Sequence, residues 1–166
     1  MRKSLAAAAL LLASLVLASS GGAAGVQFVC PDRSDPLNCT RLPNEQLHYE
    51  PAVVKLSGIL VMDAYYGPPN YGEEPETDEI EQSWELKLDR PVDVIEDPRS
   101  DINTEPVVDV WRVQLVNASK VKLGAHLGKR VMLEGTLFHA HTGRHYSMIL
   151  LNVKKAIRLK IGRAHV

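Results

Sequence analysis

Apolar and polar residues alternate with a period of two in five separate stretches of this chain, and that period predicts β-strands while excluding a helical bundle. In residues 52–63, Val54, Leu56, Gly58, Leu60 and Met62 share one face, with Lys55, Ser57 and Asp63 on the other. A second stretch puts Trp84, Leu86 and Leu88 inward and Glu85, Lys87 and Asp89 outward; a third points Trp111, Val113 and Leu115 in and Arg112 and Gln114 out. Residues 130–140 and 145–156 complete the five. Ser119 can cap a short helix that presents Leu123 and Leu127 and ends at Gly128. Gly58 and Gly135 lie mid-strand in similar local sequences, where glycine permits a sharp bend or a close backbone approach. This order, strand-strand-strand-helix-strand-strand, predicts an all-β class with one short helix, as a small five-stranded OB-like barrel over residues 52–160.

With 166 residues the chain has room for one domain, and its hydrophobic and charged fractions of 45% and 23% are ordinary for a globular protein. A net charge of -1 argues against nucleic acid as a partner. Arg2 and Lys3 precede an unbroken apolar run at residues 5–17, followed by small residues to Gly25. As a helix that run spans about 20 Å, short of the roughly 30 Å hydrocarbon core, so it is expected to be a cleaved signal peptide over residues 1–24 and not a membrane span. The product is then exported, periplasmic or secreted. In an oxidising compartment Cys30 and Cys39 are expected to form a disulfide that staples an N-terminal segment at residues 25–51, worth roughly 2–3 kcal/mol in the chain-entropy model. The last six residues, Ile-Gly-Arg-Ala-His-Val, match one reading frame of a common sequencing-library adapter, and residues 161–166 are excluded from the fold as an expected artefact.

Three histidines crowd the junction of the last two strands. If His141, Thr142 and Gly143 form a three-residue loop with Gly143 left-handed, His139 pairs with His145, Leu133 with Leu151 and Val131 with Val153. His139, His141 and His145 then converge in a set that suits zinc, copper or nickel. The alternative is that His139 and His145 stack at the barrel end and bond to backbone carbonyls.

The stretches Gly128-Lys129-Arg130-Val131, Gly135 to Gly143, Gly67-Pro68-Pro69-Asn70-Tyr71 and Trp84 to Pro91 resemble the bacterial domain-of-unknown-function family 4431. The resemblance runs from about Val53 to Val153 and implies secretion and a shared fold, with no established activity. Family members carry further histidines where this chain has Arg144 and Tyr146, which sets those two positions apart from the three histidines.

Residues 65–83 form a loop rich in glycine, proline and acid. Its six carboxylates between Glu73 and Glu81 lack the spacing of a calcium loop. Tyr65, Tyr66 and Tyr71 are candidate ligand contacts as a stacking platform; equally, they can pack the loop onto the barrel. Signature motifs of hydrolases, redox enzymes and dinucleotide-binding enzymes are missing. The expected function is therefore a non-enzymatic exported binding module for a small molecule, peptide or protein, with a transition metal at the three-histidine hairpin. One alternative is a zinc-dependent hydrolase, with Glu73, Glu74 or Asp78 as base; another is a protein–protein inhibitor or adaptor.

Overall fold

The computed structural model describes residues 27–29, 39–116 and 121–159. The leader, the 161–166 tail, Cys30 and Ser119 lie outside them. Two short strands, β1 (Phe28–Val29) and β2 (Thr40–Arg41), pair with each other. The main sheet contains β3 (Glu45–His48), β4 (Val53–Tyr66), β5 (Ile80–Ile95), β6 (Val107–Val116), β7 (Arg130–His139) and β8 (Ile149–Arg158). Its order is β3-β5-β4-β7-β8-β6, and β5 pairs β6 as well. The β3–β5 and β6–β8 pairs are parallel and the rest antiparallel.

The expected five-stranded OB-like barrel is therefore corrected to a mixed six-stranded sheet. The added strand, β3, comes from the segment expected to precede the strands, and it is too short to show alternation in sequence. Its Leu47, and Tyr49 just beyond it, are nevertheless buried in the core. Cys39 is disulfide-bonded, and the partner expected for it, Cys30, lies outside the described residues.

Length lets β5 serve three neighbours. Its first half pairs β4 from Ile80 to Leu88, and its last four residues pair β3. The β5–β6 register shifts between Lys87 and Val92, across Arg90-Pro91, where proline has no N–H to give a ladder. On β6 the conformation also changes at Asp109, which has a φ of 54°. Val107 and Val110, on either side of it, both turn inward, and Trp111, expected inside, is exposed.

Gly58 and Gly135 do stand at close approaches. Gly58 pairs with Val131 on one side and Leu88 on the other, where β4 passes from one partner to the next. A Cβ at Gly58 would overlap the Lys87 carbonyl, and one at Gly135 the Asn152 carbonyl. The helix expected before β7 is a 3-10 helix, Leu123–His126, that buries Leu123 and leaves Leu127 exposed. The core is aliphatic, with Leu60, Leu86, Val113, Val131, Leu133, Leu137 and Leu151 fully buried.

Candidate functional site

The outward residues of β4, β5 and β6 form a polar face that two loops cover. Along the strands Asp63 pairs with Ser83, Tyr65 with Glu81, Glu85 with Gln114 and Lys87 with Arg112. Alternation correctly puts Glu85 on this face, yet it is 0% exposed. Its carboxylate accepts from the Tyr65 hydroxyl and, at 2.7 Å, from Arg112 Nη1, which also binds Asp63. Burial and the Glu85 carboxylate raise the Tyr65 pKa; burial opposes the charge on Arg112, but Glu85, Tyr65 and Asp63 together outweigh it and hold the guanidinium above its usual range.

The β7–β8 loop, residues 140–148, supplies part of the cover. Its backbone lies on Gln114, whose Nε2 donates to the Arg144 carbonyl at 2.9 Å and whose Oε1 accepts from Tyr146 N–H at 2.7 Å. The Tyr146 ring stacks on Tyr65 with centroids 4.4 Å apart and planes 5° apart. Its hydroxyl donates to Glu81 Oε2 at 2.7 Å, and Arg144 pairs with Glu81 Oε1 at 3.2 Å. Burial, then the bond to Glu81, pushes the Tyr146 phenol up to about 12.

The second loop, residues 67–79, is tied from within. Gly67 N–H donates to Glu79 O and Glu79 N–H to Pro68 O, and the Pro68–Pro69 bond is cis. The Asp78 carboxylate accepts from the N–H groups of Asn70 and Gly72, 2.8 and 2.6 Å away. Between them Tyr71 sits at a φ of 53°, a left-handed conformation that costs about 1 kcal/mol or more in a non-glycine residue. Its ring rests on the other loop: a Cβ on Gly143 would lie 3.0 Å from Tyr71 Cζ. Tyr66 and Tyr71 keep 43% and 47% of their surface exposed, whereas Tyr65 is committed to Tyr146 and Glu85.

The histidines do not make the expected site. His139 pairs with Ile149, not His145, and Leu133 and Val131 face Ala156 and Arg158. The connection is longer than three residues because residues 144–147 dock on Gln114 instead of continuing the ladder, and an irregularity between Glu134 and Gly135 shifts the register again. Gly143 is not among the left-handed glycines. His139 Nδ1 lies 2.9 Å from Ala140 O and His141 Nδ1 3.0 Å from His139 O. His145 Nδ1 accepts the His141 N–H at 3.0 Å, so the neutral ring carries its proton on Nε2 and has no lone pair left for a metal. Among the described residues no group of three or more His, Cys, Asp or Glu is placed to hold a metal ion. The transition-metal site, and with it the zinc-dependent hydrolase using Glu73, Glu74 or Asp78, is corrected accordingly. Of the alternative weighed for the hairpin, His139 does bond to a backbone carbonyl, whereas His145 takes a backbone N–H and packs on His141. His141 and His145 pack edge to face, 4.7 Å apart, beside Phe138.

Arg144 and Tyr146, set apart from the site by the family resemblance, anchor the loop. Glu85, Arg112 and Gln114 carried a sequence signal only as outward positions on strands. Two clefts of about 290 and 280 Å³ flank residues 42–44, and neither is lined by a residue of the two loops. The loop-covered face thus offers a surface of aromatic rings and polar groups. Among the described residues no helix is long and apolar enough to cross a membrane.

Residues 112–158 match the model of a domain of unknown function, DUF4431, which takes in the second half of β6 and all of β7 and β8 with the loop between them. No curated protein and no solved structure matches the chain.

Proposed function

We propose that this chain is an exported domain that recognises an extended segment of another polypeptide on the surface shared by residues 67–79 and 140–148, without a metal. The carrying observation is Tyr71, an exposed aromatic side chain held in a left-handed conformation and seated on Gly143 of the other loop. Backbone strain of that kind persists only where surrounding bonds over-determine it, as the Asp78 carboxylate does here, and it concentrates at functional positions. Tyrosine suits recognition because it offers a large amphipathic contact with little rotamer entropy to lose. A peptide fits better than a small molecule, because the two clefts lie away from these loops. Export rests on the leader read in residues 1–24.

Selection from a random peptide library on the immobilised mature protein, followed by calorimetry, tests this. A selected peptide should bind wild-type protein and lose about tenfold or more in affinity to Tyr71→Ala, roughly the value of one interface aromatic. Exposed Lys155→Ala on β8 should bind as wild type does. No enrichment over an unrelated protein, or equal binding by Tyr71→Ala, overturns the reading.

A further inference from the structure

The segment Arg144-His145-Tyr146 contacts the polar face as a bound peptide would. The Gln114 amide reaches a carbonyl and the N–H two residues further on, the pair of groups that one residue of a parallel neighbouring strand satisfies with its own N–H and C=O. Tyr65 then reads an aromatic ring by parallel stacking, and Glu81 reads both the guanidinium and the phenol with its two oxygens. These contacts come from β4, β5 and β6 and not from the strands the segment connects. The β7–β8 ladder ends at His139–Ile149, with one further bond from Ala140 N–H to Met148 O. Leaving the face would therefore break no strand pairing.

Two further features set this segment apart from an ordinary turn. Hairpin loops usually need two to five residues, so residues 140–148 are longer than the connection requires. The face beneath is also closed to solvent: Glu85 has no exposure, and Gln114, whose amide bonds to the segment, has 7%.

We infer that residues 144–146 are an internal ligand. The face made by Gln114, Tyr65 and Glu81 is a docking groove for an extended peptide carrying a basic residue and, two positions later, an aromatic one, and the chain's own segment occupies it until such a partner displaces it. This rests on the peptide-recognition reading and names the ligand class and the control of the same surface. A tethered occupant acts at a millimolar effective concentration, so it masks the groove from a free peptide.

The test uses a fluorescein-labelled peptide, Thr-Gly-Arg-His-Tyr-Ser, with blocked ends and the mature protein. The double variant Arg144→Ala/Tyr146→Ala should bind it at least about tenfold more tightly than wild type, because the internal competitor is gone. Adding Gln114→Ala to that variant should abolish the gain. A folded double variant that binds no better than wild type overturns the inference. If the double variant does not fold, replacing residues 142–147 with a Gly/Ser run of equal length gives the same comparison. Failure of both to fold makes the segment integral to the fold and overturns the inference equally. The two proposals separate cleanly. If the released variants gain nothing while a library-selected peptide still binds through Tyr71, the internal ligand is wrong and the recognition surface stands.

Discussion

Glu85 is the one charged side chain among the described residues with no exposure, and it lies on the side of β5 opposite the aliphatic core. Such a charge survives only with a cation and a hydrogen-bond donor beside it, here Arg112 and Tyr65. Removing the cation leaves a buried carboxylate uncompensated. Arg112→Met should therefore destabilise the protein by about 2 kcal/mol, below the usual cost of breaking a fully buried pair because the Arg112 side chain is 39% exposed. Urea unfolding should show this, and an unchanged midpoint would contradict it. The strand period makes the direction of both side chains legible, since neighbours alternate across the sheet. It carries no information on what covers a face, so the burial of Glu85 and the roles of Gln114 and Glu81 stayed hidden.

The β7–β8 hairpin shows how the same limit acts on an element. Apolar alternation predicted a short loop and a symmetric register; the loop residues instead bond to Gln114 and Glu81, which lie 30 or more positions earlier in the chain. His145 is now a structural acceptor, and burial, followed by the charge His141 can carry, lowers its pKa. The unfolded chain then binds a proton more readily than the native protein. Stability should be full above the reference value of about 6.5, fall as pH drops through it and level off below the native pKa. His145→Asn keeps an acceptor for the His141 N–H but does not titrate, so it should flatten the decline between pH 7 and 5. Thermal melts across that range measure the difference; parallel curves for variant and wild type would refute it.

At the scale of the whole molecule, the N-terminal segment is clasped onto the sheet. Arg41 pairs with Asp109, and Asn44 donates to Asp93 and Asp109 at 2.7 and 2.8 Å. Arg41 and then Asn44 hold the Asp109 carboxyl below its usual pKa. Next to the clasp, β3 brings Leu47 and Tyr49 into the core, and the Tyr49 hydroxyl donates to Glu105 O at 2.9 Å. A chain starting at Ala52, where the first long alternation begins, should lose about 4 kcal/mol relative to one starting at Gly25, from two large buried side chains at roughly 2 kcal/mol each. Denaturant titration of the two lengths checks this, and equal stabilities would refute it. The sequence by itself determined the positions of the long strands, their inward residues apart from Trp111, and the two glycines at close approaches, because each follows from a local period or from the size of one side chain. Only the tertiary structure decided that a sixth strand joins the sheet, that the histidines bond to the backbone, and that two distant loops meet at Tyr71 and Gly143. Those outcomes depend on contacts between residues far apart in sequence, and a local pattern does not encode which distant groups will satisfy a given N–H, carbonyl or charge.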